Sequence, residues 1–505
     1  MNATDDPRHP RPGIALVPLD ERPACATLPV MVAALAGVPV RTPAALLPTL
    51  RTPGDPDGIG AWLTGQAPDA AVVSLETLGH GGLIASRTRP GTVAAVAARL
   101  EPLRALAATG TAVHGVTLVT RTPDSADAME EPDYWDPHGP ALHRWSAALH
   151  RASQDGAPVP DTDVPDEVRA DFLTRRLRNH TLNLVALELA ADGTLASLVI
   201  GADDTAPRAL ATAELGWLTQ WSDWLGGPVA VRPGADEACT TLVARTVGTL
   251  LGGPATRVAI EGRDLDRVAP YENLPVGRTA AGQVAACGGV VVEADEDADV
   301  RLLVHTPDGT GVDWALAPPA GRANDARERA EELAGRAARL LAAGHRVAVA
   351  DCAQPNGADP LLVTALAGAG IAEELVAYAG WNTAGNTLGT VAAHALTHIA
   401  AEHAGVLDTE AHRRLLLHRY LEDAGYMTRA RTAARAELGS VPGRHDHVPD
   451  GHPVLGLIEA ELTAFQTGLG IFPDLRVEPG SVRLPWNRTF ETDFTVTGAV
   501  AQEDR

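Results

Sequence analysis

Lysine is absent from this chain of 505 residues, so all 41 basic residues are arginine. No Schiff base can form on a lysine amine, which excludes pyridoxal phosphate enzymes and lysine aldolases. The phosphate-gripping lysine of a P-loop and the Lys–Glu pair of a kinase are excluded with it. Cysteine is scarce. Cys25, Cys239, Cys287 and Cys352 stand far apart, without the C-x-x-C spacing of a structural zinc site. Reduced, buried thiols are the expectation. No apolar run reaches the roughly 18 residues that a membrane span needs, and the opening MNATDDPRHPRPG lacks an apolar signal-peptide core. A cytoplasmic protein without membrane contact is therefore expected. Positive charge is also in deficit. The net charge is −23, which repels phosphate backbones and argues against nucleic-acid partners.

What is present is ordinary globular composition, 45% hydrophobic and 21% charged, at a length that implies two or three domains. Short apolar runs alternate with longer amphipathic ones, the rhythm of parallel βα units. Eleven strands are expected, at Ile14–Pro18, Pro39–Arg41, Ala70–Ser74, Ala112–Val119, Ser197–Gly201, Val229–Val231, Arg257–Glu261, Gly289–Val292, Val300–His305, Arg346–Ala350 and Leu375–Ala379. Helices are expected between them, among them Gly91–Ala108, Asp166–Leu189, Asn324–Ala343 and Asn386–Ala404. The strands fall into two series that begin alike, as in APDAAVVSLET (67–77) and DADVRLLVHTP (297–307). The fold expected is α/β, with two doubly wound parallel-sheet lobes over 10–235 and 236–404. A single TIM-like barrel is the alternative, disfavoured because eleven strands exceed eight. Residues 123–165 read as a long loop or cap. Residues 405–505 read as a C-terminal accessory region of helices and a strand-like tail.

In open parallel sheets, ligands bind outside the carboxyl ends of the strands. Polar residues just past each strand are therefore the candidates. VPLDERP follows the first strand with Asp20 and Arg22, the latter suited to an anionic or hydroxylated ligand. SLETLGHGGLIASR follows the third, with Glu76, His80 and Arg87. Glu76 and Arg87 can also form an internal ion pair. VIGADDTAPRA follows the fifth, with Asp203 and Asp204. Adjacent acids suit general acid/base work or a divalent metal, whereas a helix cap needs only one. RPGADEACT repeats the double acid at Asp236 and Glu237, which reads more simply as compensation of a helix dipole. VADCAQPNGADP brings Asp351, Asn356 and Asp359, and VAYAGWNTAGNTLGT brings Trp381, Asn382 and Asn386. A tryptophan face stacks on sugar rings, and asparagine amides bond hydroxyls.

These six stretches, in this order, closely resemble a bacterial family known as domain of unknown function 4127, with WNTAGN the most specific of them. The resemblance implies that the six loops belong together. It carries no activity, so the chemistry rests on residue types. The expectation is a hydrolase of a carbohydrate or polyol-like small molecule, most simply a glycosidase. Asp203 and Asp204 are the acid/base candidates, with Glu76 or Asp351 as second carboxylate. Substrate-binding candidates are Asp20, Arg22, His80, Arg87, Asn356, Trp381, Asn382 and Asn386. The alternatives are a divalent-metal hydrolase or lyase built on Asp20, Asp203, Asp204, Asp351 and His80, and a non-catalytic small-molecule binder. A dinucleotide oxidoreductase ranks lower, because no G-x-G-x-x-G follows the first strand.

Overall fold

The computed structural model describes residues 13–293, 297–310, 324–441 and 444–498. All eleven expected strands form, each within two residues of the expected bounds. The first sheet is built from β1 (Ile14–Val17), β2 (Val40–Arg41), β3 (Ala70–Ser74), β4 (Ala112–Val119), β5 (Ser197–Ala202) and β6 (Val229–Pro233). The second is built from β7 (Arg257–Gly262), β8 (Val290–Val292), β9 (Val300–His305), β10 (Val347–Asp351) and β11 (Ala377–Ala379). All the pairings in both are parallel. Both sheets are open, so the chain is not a closed barrel.

The strand order is β2-β1-β3-β4-β5-β6 in one sheet and β8-β7-β9-β10-β11 in the other. Each sheet starts with its second strand outside its first, then adds the third, fourth and fifth in turn. The likeness between 67–77 and 297–307 falls on β3 and β9, the third strand of each. In both sheets the order reverses between the first and third strands, which opens a crevice at the carboxyl edge. Central strands such as IALV of β1, AAVVS of β3 and VRLLVH of β9 are buried at every residue, as strands covered on both faces must be. The edge strands β2 and β8 are short and largely exposed, which limits pairing with other chains.

Helices Pro23–Ala34, Ala238–Leu251, Val276–Ala286 and Ala384–His403 pack together between the sheets. Cys239, Leu242, Val243 and Val247 bury against Ile14, Leu16 and Val72 of the first sheet. Val391 and Leu396 bury with Leu28 and Val32, and with Val258 and Leu302 of the second. This shared layer holds the carboxyl edges of both sheets around one crevice. The four thiols are buried, and burial pushes those of Cys239 and Cys287 up to about 12. Native protein is therefore expected not to react with a disulfide thiol reagent over an hour, and denatured protein to expose four thiols.

Two expectations are corrected. The span 123–165 contains a helix, Trp135–Asp155, kinked at Asp136. Its apolar face is regular, with Leu142 and Trp145 packing on Val168 and Phe172. Pro137 and Pro140 in its first turns obscure it in the sequence. The stretch 91–108 is two helices, Val93–Ala98 and Glu101–Ala108, because Pro102 lacks the N–H that would continue the first.

The C-terminal region packs on the outer side of the second sheet, where Tyr378 of β11 stacks on Tyr420 at a centroid distance of 4.3 Å. Helix Thr409–Arg419 passes into a π-wound segment, Tyr420–Ala430, whose Asp423 accepts from the Gly380 N–H just past β11 at 2.7 Å. Helix Val454–Leu469 and the antiparallel pair of β12 (Leu475–Val477) with β13 (Val496–Gly498) complete the region. The turn between these two strands returns Arg488, Phe490 and Glu491 to the crevice.

Candidate active site

At the carboxyl edges of the two sheets lies a chamber of about 190 Å³. Its wall takes Arg22 from the loop after β1, Arg87 from the helix after β3, Arg121 and Glu130 after β4, and Asp203 and Asp204 after β5. Asp236 enters after β6, Tyr271 after β7, Asn356 after β10, and Asn382 and Asn386 after β11. His445, Arg488 and Phe490 of the C-terminal region close it.

Its electrostatics are those of a packed ionic lattice. The Arg22 guanidinium meets Asp20 at 2.8 Å and Asp236 at 2.6 Å, with Glu491 at 3.9 Å, and lies 4.5 Å from the centre of the Trp486 ring. Arg488 stacks on the same ring at 4.5 Å and pairs with Glu130 and Glu491. Arg87 pairs with Asp203, Glu130 and Glu131. Arg121 spans Glu130, Glu131 and Asp204, the last at 3.0 Å. The carboxylates outnumber the cations, so proton affinity rises where pairing is least complete. Burial, with Asp20, Asp203 and Glu491 nearby, pushes Asp236 up to about 7 against the pull of Arg22. Burial, together with Asp203, raises Asp204 as well.

The backbone is strained here. Nine described non-glycine residues have positive φ, and four of them line the chamber: Asp204 (40°), Tyr271 (65°), Asn356 (59°) and Asn382 (61°). Asparagine and aspartate tolerate this region, whereas Tyr271 holds it at a cost of about 1–3 kcal/mol. Two of the turns brace each other, since the Asn356 N–H donates to the Asn382 carbonyl at 2.8 Å. The Thr205 N–H donates to the Tyr271 carbonyl at 2.9 Å and ties the loop after β5 to the loop after β7. Gly385 permits a close approach, because a Cβ there would lie 2.9 Å from the backbone of Pro233 and Gly234. Asn386 is buried on the chamber wall, and its Oδ1 has no partner among the described residues. An orphaned buried acceptor of this kind is the mark of a place for a ligand or ordered water.

The capping alternative for Asp203 and Asp204 fails on geometry. The helix after β5 begins at Leu210, too far on for Asp203 or Asp204 to cap, and its Leu210 N–H is satisfied by the Ser146 hydroxyl. Asp236 and Glu237 stand at the N-terminus of helix Ala238–Leu251, as the dipole reading expects, and Asp236 in addition pairs with Arg22.

Of the residues expected from the sequence, Arg22, Arg87, Asp203, Asp204, Asn356, Asn382 and Asn386 meet at the chamber wall. Asp20 stands behind it as the partner of Arg22. Trp381 is buried beside it, edge-on to Phe490 at 6.4 Å, and does not line the cavity. Asp351 is buried below, accepting from the Asp359 N–H at 2.6 Å. Asp359 in turn faces His305 and caps the helix Pro360–Gly368. Glu76 turns inward and accepts from the Leu118 N–H at 2.8 Å and the Thr117 hydroxyl at 3.0 Å. His80 lies by the same small void, neutral because burial holds it down to about 3. Among the described residues no group of three or more His, Cys, Asp or Glu is placed to hold a metal ion, so the metal-site expectation gains no support.

Burial pushes Glu76 up to about 7 from 4.5. The unfolded chain therefore loses this proton first, and native stability falls as pH rises from about 4.5 to 7. Glu76→Gln keeps the acceptor and removes the charge. It is expected to stabilise the protein by on the order of 3 kcal/mol at pH 8 and to change little near pH 4, measured by urea unfolding.

Arg121, Glu130, Asp236, Tyr271, His445 and Arg488 line the chamber without having been singled out as site residues from the sequence. Arg121 obeys the strand-end rule after β4. Asp236 carried the signal, as half of a double acid. Glu130 lies well past the end of β4 and Arg488 in the long connection between β12 and β13, so neither stands at a strand end and neither gives one.

Neither a curated protein nor a solved structure matches the chain. One family model does, described as protein of unknown function (DUF4127), over residues 14–495. That span runs from β1 through the segment carrying Arg488, and so includes every residue of the chamber wall. The chain belongs to the DUF4127 family.

Proposed function

We propose that this protein is a hydrolase of a carbohydrate or polyol-like small molecule, working by acid/base catalysis between two carboxylates. The observation that carries the reading is that Asp204 and Asp236 line one small polar chamber, both with raised proton affinity and neither used as a helix cap. A carboxyl poised near neutrality serves as donor or acceptor at physiological pH. Asp204 protonates the leaving oxygen, and Asp236 takes a proton from the attacking water. Asn356, Asn382 and Asn386 supply amides to hydroxyls, and the arginines hold the carboxylates in place. Asp203, tied to Arg87, orients its neighbour Asp204.

A non-catalytic binder is the second reading, favoured by the arginine partner that each of Asp203, Asp204 and Asp236 already has. A panel of 4-nitrophenyl glycosides separates the two. Turnover by the native protein, lost in Asp204→Asn and Asp236→Asn with binding retained, is the expected result. Binding without turnover would establish the binder instead.

A further inference from the structure

We propose that the substrate is a two-part conjugate, with a compact polyhydroxylated head in the chamber and a larger neutral, ring-bearing leaving group in an adjoining outer cleft. This rests on the hydrolase reading and adds the class of the second half. The outer cleft, about 950 Å³, opens beside the chamber, and Asp204 and Tyr271 line both. The two spaces are unlike. The chamber, about 190 Å³ walled by charges and amides, is about a fifth of the outer cleft's volume and suits the smaller, hydroxyl-bearing half. The outer cleft carries Pro123, Pro207, Val268, Pro270 and Pro307 on its wall, between polar residues such as His143 and Gln354. Val268 is 45% exposed and Tyr271 42% exposed, so part of the apolar wall of this concavity faces solvent. Such a surface is matched by an apolar group that binding would cover.

The charges on the cleft choose its sign. Asp124 and Asp308 face it, and the one arginine among the described residues of its wall, Arg267, is already paired with Asp264 at 3.0 Å and turned to the Pro307 carbonyl at 2.8 Å. A phosphate or nucleotide leaving group would be repelled. Glu272 reinforces the point. It accepts from the Gly385 N–H at 2.7 Å, burial pushes it up to about 8, and its Oε2 has no partner among the described residues. A neutral carboxyl on this wall offers a proton to an uncharged oxygen. Because Asp204 stands where the spaces meet, the bond between head and leaving group lies beside it. In the step, the bond from the head carbon to the bridging oxygen breaks, and that oxygen takes the Asp204 proton. Water adds its oxygen to the carbon and gives a proton to Asp236, so no oxidant or further reactant is required.

The test compares each sugar as its methyl glycoside, its 4-nitrophenyl glycoside and its 1-phosphate. Binding is read by calorimetry on Asp204→Asn and turnover on the native protein. Nitrophenyl glycosides are expected to bind about tenfold or more tighter than methyl glycosides, and 1-phosphates more weakly than either. Ala206→Trp, which fills the outer cleft, and Val268→Asp, at an exposed position that tolerates change, are expected to erase most of that preference. Methyl glycoside affinity should stay within about twofold. Equal binding of the two glycosides, or a preference that neither substitution touches, overturns the conjugate while leaving the chamber chemistry standing. Absence of any glycoside binding overturns both.

Discussion

Replacing Arg22 with alanine is expected to destabilise the protein by about 3–5 kcal/mol, the cost of leaving buried carboxylates without their cation. Arg22 is 4% exposed and is the shared partner of Asp20 and Asp236, with Glu491 close by. Its loss also removes the guanidinium from the face of Trp486. Arg22→Lys is expected to recover only part of the deficit, since one ammonium cannot serve both carboxylates in the paired geometry of a guanidinium. The deficit should shrink as pH falls from 8 to 5. Asp236 takes up a proton from about 7 downward even with Arg22 present, and without Arg22 it does so at higher pH. Urea unfolding at the two pH values measures both effects. An unchanged midpoint at pH 8 would show that the lattice does not depend on its central arginine.

The second large effect is on turnover. Asp236→Asn is expected to lower kcat by about 10²–10⁴-fold, the usual worth of a positioned acid or base. The amide keeps the size of the side chain and an acceptor for Arg22, so folding should survive while proton transfer does not. The native pH profile of kcat/KM should carry a limb near 7, with activity rising as Asp236 ionises, and that limb should vanish in the variant. Loss of kcat with the limb retained would assign the limb to another group.

Much of this arrangement was legible in the sequence, for a physical reason. Parallel strands covered on both faces must be continuous apolar runs, so β1, β3, β5 and β9 announce themselves. Once the strands are known, the crevice rule locates the loops, which is how Asp203, Asp204, Asn356 and Asn382 come to be named. The rule does not say which way a side chain turns. Glu76 and Asp351 stand at strand ends yet fold back to satisfy the N–H groups of Leu118 and Asp359. Trp381 belongs to a loop that lines the chamber but packs into the core behind it. Arg488 and Glu130 meet across 358 residues of chain, and no local pattern can report such a pair. The helix Trp135–Asp155 hid behind prolines in its own first turns.

The most direct measurement is a crystal structure of Asp204→Asn soaked with a glycoside that the native protein cleaves. The sugar ring should lie in the chamber between residues 204 and 236, with its hydroxyls on Asn382 and Asn386. A ring bound elsewhere, with those side chains touching only one another, would contradict the account.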